Sequence, residues 1–359
     1  MSTKPGRNTV PVEANPPLRL ENRLTLFDHL PRRQPINKNS DNVEGERFLH
    51  PATIKLGSLY SRGTIQSDDD RVTALVASFC NVIQDYKTPP KKVLREDLDK
   101  HISKQVQHLV ECRELSRGMG NLIKYLRFSV SKVPLEASEA EAKTMLLGKL
   151  QSFLEERVVY AAENIAKYVV STIRDHDVIL TFGSSPLVRK ILLAAAEVRS
   201  FRLVVVDARP LNEGLATLTV LSSRVSCVYS PLSGAAAAMK DQNVTRVLLG
   251  ASSLLSNGAM LGPAGTAMVA ALAKAQQIPV IVAAESYKFS EKVQLDSIVY
   301  NELGQSSEIA VMGITGASDE HAVGLVPLPQ RQPGFRGTAA VLSSAVDSGV
   351  GAAVECDPI

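Results

Sequence analysis

No charge of one sign dominates this sequence: 40 Lys and Arg stand against 37 Asp and Glu over 359 residues. A net charge of +3 supplies no field that would select a polyanion, so nucleic acid is not implied as a partner. Long apolar runs are missing as well. The most apolar segments, 178–182 and 203–206, fall far short of the roughly 20 residues needed to cross a bilayer, and no N-terminal stretch has the layout of a signal peptide. This argues against a membrane protein. Cysteine is sparse: Cys80, Cys112, Cys227 and Cys356 lie far apart without a CxxC, and a reducing cytoplasmic compartment is expected. Aromatics are few, at 5%, but 45% apolar and 21% charged residues suit a folded soluble chain rather than a disordered or fibrous one.

The length suggests two domains or one large domain with a tail. Residues 1–47, rich in Pro and Asn, read as a mostly disordered tail with one apolar cluster, Leu24, Leu26, Phe27 and Leu30. Residues 48–175 read as a helical domain. Val72, Leu75, Val76, Phe79, Val82 and Ile83 form one stripe, with Asp68 to Asp70 at the dipole-favoured start. Pro89 and Pro90 end that helix. Val93 to Cys112 and Arg117 to Ser131 come next as two more. A long spine helix is expected over 135–175, with Leu147, Leu150, Leu154, Val158, Ala161, Ile165, Val169 and Ile173 three or four apart, and Ser138 with Glu141 as a capping box.

After Asp177 the period changes. Short apolar runs at 178–182, 203–206, 225–229, 246–249 and 280–283 alternate mostly with helical segments, the mark of a parallel sheet covered on both faces. The expected fold class is therefore α/β: an N-terminal helical domain followed by a doubly wound parallel sheet at 176–304, with ligand-accessible turns where strands end.

Chemical motifs are conspicuous by what is missing. There is no GxxxxGK[ST], and the turn Gly183-Ser184-Ser185-Pro186-Leu187 fails GxGxxG at its second glycine. Of six histidines only His108 stands at helical i, i+4 spacing with a cysteine, Cys112, and two ligands make no zinc site. Cys80 and Cys227 read as buried small apolar residues. No cofactor is expected. An anion pocket is one reading of Gly183, Ser184, Ser185, Arg209, Glu213, Asn257, Gly265 and Thr266, because backbone donors at helix starts bind phosphate. The other is that the glycines permit tight turns and Arg209 pairs with Glu213.

Eight ordered motifs carry a resemblance: LFDHLP (26–31), LHPATIKLG (49–57), RELSRGMGNLIKYLR (113–127), SEAEAK (138–143), DVILTFGSSPLV (177–188), VVVDARPLNEG (204–214), VLLGASSLLSNGAMLGPAGTAMVA (247–270) and ESYKFSEKVQLDSIVYNELG (285–304). Over about 20–304 the chain resembles the delta-subunit family of translation initiation factor 2B, regulatory relatives of sugar-phosphate isomerases that share a helical domain on a Rossmann-like sheet. In the isomerase motif GADxxxxNGxxxNKxGT the acid falls here at Ser252, the second Asn at Gly262 and the Lys at Pro263. The reactive cysteine falls in the turn Gly183-Ser184-Ser185. Proton abstraction beside a carbonyl needs a positioned acid and base, which those residues do not supply.

The resemblance thus implies a non-catalytic regulatory subunit of the guanine-nucleotide exchange factor for initiation factor 2. Its implied partners are the beta, alpha, gamma and epsilon subunits, and the alpha subunit of initiation factor 2 in both its plain and phosphorylated forms. An isomerase and a sugar-phosphate sensor are the alternatives. Candidate partner-binding residues are Arg113, Arg117, Lys124 and Arg127, the first three near one helical face, set against the plainer reading of a solvated face. The stretch 250–275, rich in small residues, suits either close packing on a partner or an ordinary core. Residues 305–359, rich in Gly, Ser, Ala and Pro, lack the DVTPP motif and final strand of the family, so an open sheet edge is expected there.

Overall fold

A computed structural model describes residues 49–294 and the backbone of a strand at 352–356. The expectations for the 1–47 tail and for most of 305–359 lie outside the described residues.

The first half is helical: α1 (Pro51–Ser61), α2 (Asp68–Asp85), α3 (Leu94–Cys112), α4 (Arg117–Ser131) and α5 (Glu139–Phe153). The expected stripe of α2 is buried, with Val72, Leu75, Phe79 and Ile83 at or near zero exposure. The capping box forms as expected: Ser138 Oγ accepts from Glu141 N, and the Glu141 carboxylate accepts from Ser138 N.

The spine is not one α-helix. A π-helical segment, Leu154–Tyr160, joins α5 to α6 (Ala161–Thr172). A π turn holds an extra residue and so rotates the helix beyond it. The rotation has a use: Ala142, Leu146, Leu150 and Phe153 of α5 enter the helical core, whereas Ala162, Ile165, Ala166 and Val169 of α6 enter a core beneath the sheet.

The second half alternates β1 (Val178–Phe182), α7 (Pro186–Val198), β2 (Arg202–Asp207), α8 (Gly214–Leu221), β3 (Ser226–Pro231), α9 (Ala235–Asp241) and β4 (Arg246–Gly250). A side sheet of β5 (Ser253–Leu255), β6 (Met260–Leu261) and β8 (Phe289–Ser290) interrupts the alternation. It flanks α10 (Thr266–Ala275) and β7 (Val280–Ala284). The main sheet runs β3-β2-β1-β4-β7 in parallel. Its apolar runs divide between two faces: Val178, Leu180, Val204 and Val206 pack on one side, Ile179, Leu203 and Val205 on the other. Of the 250–275 stretch, Val269, Ala270 and Ala273 of α10 belong to the first of these cores, the ordinary-core reading.

The edge beside β7 departs from expectation. An antiparallel strand, β9 (Ala352–Cys356), pairs along all of β7, with Ile281 opposite Glu355. The sequence AAVEC holds a single strong strand former, so propensity gave no warning of it.

A cleft between the helical half and the sheet

Strand order reverses between β1 and β4, and at such a switch point the connections leave a crevice at the carboxyl ends of the strands. Here it is a cleft of about 620 Å³. Its floor comes from the turns after β1 and β4, with Ser184, Ser185, Gly250 and Ser252. Its far wall comes from the helical half, with Asp68, Arg71, Arg113 and Arg117.

The floor is built by close approach. Gly183 has φ +62° and donates its N–H to Val206 O at 2.9 Å, while Thr217 Oγ1 donates to its carbonyl at 3.1 Å. Ser185 caps α7 by accepting from Val188 N at 3.4 Å, and Arg189 reaches back to donate to Ser184 Oγ at 3.0 Å. A Cβ on Gly250 would lie 2.4 Å from Ser185 Oγ, so the β4 turn must be glycine for the two turns to meet.

Glu213 lines the cleft, and burial, reinforced by Asp207, raises its carboxyl pKa. Asp207 is buried and accepts from Tyr229 OH at 3.0 Å. Across the cleft, burial raises the pKa of Asp68 against the opposing pull of Arg71, whose Nη1 lies 3.7 Å away. Arg71 also donates to Glu114 O at 2.5 Å.

The candidate residues thus separate into two groups. Ser184, Ser185, Glu213, Arg113 and Arg117 converge on the cleft. Arg113 is not on the solvated helix face expected for it: it is the C-cap of α3, buried, and donates to Ile65 O at 3.0 Å. Lys124 and Arg127 lie elsewhere. Lys124 sits 3.8 Å from Glu291, and Arg127 is held by Asp99 at 2.9 Å and by Ser103 at 2.7 Å.

Arg209 is exposed, precedes a cis proline and forms no ion pair with Glu213 among the described residues. Asn257 donates to Gln294 O at 3.1 Å in the turn between β5 and β6. Gly265, at φ +109°, and Thr266, which donates to Pro263 O at 2.7 Å, start α10 away from the cleft. These last three are absent from the residues that line the cleft.

Sequence reasoning missed Arg189 and Lys288 as cleft residues; Arg189 turns back to Ser184 at the start of α7, and Lys288 meets Asp69, a partner visible only once the chain is folded. No group of three metal-ligating side chains occurs among the described residues. His108 Nε2 and Cys112 Sγ do meet, at 3.6 Å, where burial pushes the thiol up to about 11. Cys80 and Cys227 are half-buried rather than buried. No helix among the described residues is long and apolar enough to cross a membrane.

Ser252, Gly262, Pro263, Ser184 and Ser185 all line the cleft. The positions that the isomerase motifs would fill with reactive groups therefore do come together, and they present hydroxyls, a glycine and a proline.

Comparison with known proteins agrees with this architecture. The chain is 36% identical over 305 residues to translation initiation factor eIF2B subunit delta of Schizosaccharomyces pombe, covering 84% of this chain and 64% of that protein. It is 36% identical over 293 residues to the Dictyostelium discoideum delta subunit, covering 80% and 47%. It thus spans under two thirds of the length of either relative. A chain in the crystal structure of the tetrameric eIF2B-beta2-delta2 complex from C. thermophilum superposes with a TM-score of 0.75 at 29% identity, covering 86% of this chain and 94% of that one. Residues 64–348 match the model of the initiation factor 2 subunit family, and the chain belongs to that family.

Proposed function

We propose that this chain is a non-catalytic, delta-type subunit of the cytosolic guanine-nucleotide exchange factor for initiation factor 2. In this reading it assembles with alpha, beta, gamma and epsilon subunits, and the exchange chemistry resides outside it. The observation that carries the reading is the superposition on 94% of a chain from a beta2-delta2 tetramer. The replacement of reactive groups by Ser252, Gly262 and Pro263 in the cleft supports it. Its helical half is proposed to face the alpha subunit of initiation factor 2, with Arg117 near the contact and charge-assisted pairing favouring the phosphorylated form.

Affinity purification of the tagged chain from its native cells, with identification of the co-purifying subunits, tests the proposal. Recovery of beta, gamma and epsilon subunits is expected; recovery of the chain alone contradicts it.

A second reading is favoured by the basic side chains on both sides of the cleft, Arg113 and Arg117 opposite Arg189, beside the α7 N-terminus. There the cleft retains a sugar phosphate without converting it. Calorimetric titration with ribose 1,5-bisphosphate, comparing wild type with Arg117→Ala, separates the two: saturable heat lost in the variant favours retention, and no heat in either excludes it.

A further inference from the structure

The turn after β7 reaches out of the sheet and into the helical half. Tyr287, in the 3-10 turn Ser286–Lys288, is 3% exposed and belongs to the helical core. Its ring packs edge-on against Phe153 of α5 at 6.3 Å and lies against Gly118 in the first turn of α4, where a Cβ would come within 2.8 Å of it. Its hydroxyl donates to Asp69 Oδ1 of α2.

The next residue completes the seat. Lys288, its side chain 4% exposed, places Nζ 2.7 Å from Asp69 Oδ1 and 2.7 Å from Glu285 Oε2, whose side chain is 2% exposed. From α4, Asn121 Nδ2 donates to the carbonyls of Tyr287 and Phe289 at 2.8 and 2.7 Å, and Ser253 Oγ of β5 donates to the Lys288 carbonyl at 3.1 Å.

We propose that this turn is a peg, with α2, α4 and α5 as its socket, and that the Lys288–Asp69 pair is the clamp that fixes the angle of the helical half on the sheet. This inference does not depend on the function proposed above. Three reasons support it. The pair joins elements far apart in sequence, as does the neighbouring Tyr287–Asp69 bond, whose partners are 218 residues apart. Lys288 is desolvated between two carboxylates, so its loss leaves Asp69 and Glu285 without their counter-charge in the interior and favours separation of the halves over local adjustment. Asp69 and Lys288 also line the cleft, so the clamp sets how far Arg113 and Arg117 stand from the Ser184-Ser185 turn.

Hydrogen exchange read by mass spectrometry on the full chain, wild type against Lys288→Met, tests this, with calorimetric unfolding of the same samples. Faster exchange is expected in Glu285–Ser290 and in the first turns of α2 and α4, on the order of a hundredfold, while β1 and β2 stay protected. One unfolding transition is expected for the wild type and two for Lys288→Met.

Acceleration confined to Glu285–Ser290 with one transition retained would overturn the clamp, as would uniform acceleration along the chain. Should Lys288→Met not fold, Asn121→Ala carries the test. It removes two hydrogen bonds at a half-buried site and should give the same pattern at smaller amplitude; unchanged exchange in α2 in that variant contradicts the proposal.

Discussion

Gly265 shows how tightly single residues are fitted here. With φ +109° and a virtual Cβ only 2.4 Å from Phe182 Cζ, it has neither the backbone freedom nor the space for a side chain. Gly265→Ala is expected to destabilise the chain by on the order of 2–4 kcal/mol, read from urea denaturation. Ser138→Ala removes the capping box and should cost about 1 kcal/mol in the same assay.

Protonation acts at residue scale too. Hydrogen bonding from Lys143 and from the Thr88 backbone holds Glu139 down at about 2, and a bond from Lys92 lowers Asp97. Their stabilisation is complete above the ordinary carboxylate range and disappears as pH falls through the lowered values. Burial raises Asp68 and Glu285, so those two act in the opposite sense, and their stabilising influence is lost as pH rises through their raised values. Glu139→Gln should therefore show a smaller fall in urea midpoint between pH 5 and pH 2 than the wild type shows.

What was legible at this scale depends on the range of the interaction. Ser184 and Ser185 could be read because a strand end and a helix start adjoin in sequence. Asp69 and Lys288 could not, since nothing periodic links residues so far apart. Arg113 was misplaced because one residue at a helix end separates a solvated face from a buried cap.

At the scale of elements, the strands β1, β2, β4 and β7 were visible as apolar runs, since strands buried on both faces leave little room for polar alternation, whereas the edge strand β3 is largely exposed. The π segment was invisible for a related reason. Leu147, Leu150, Leu154 and Val158 keep a helical spacing straight through it, and only the change of burial from Phe153 to Ala162 reveals the rotation. The extra residue that a π turn holds makes the rotation testable. Deleting exposed Glu155 should convert the segment to α-helix and leave both faces seated. Inserting one alanine there should rotate α6 by about 100° and bring Ile165 and Val169 out of the core. Circular dichroism and thermal melts distinguish the pair: a cooperative melt is expected for the deletion and its loss for the insertion, and equal behaviour of the two would refute the rotation.

At the scale of the molecule, the cleft, the proposed peg and the three cores describe a scaffold in which the sheet carries a helical half. Gly262 and Pro263 line the cleft without a reactive side chain, among charged residues that include Asp68, Arg71, Glu213 and Lys288. Subunit association is the property by which the function proposed above stands or falls. The most direct measurement is native mass spectrometry of the chain co-expressed with a beta subunit from the same organism. The account predicts a stable species containing both polypeptides. Two separate, well-folded proteins of monomer mass would contradict it.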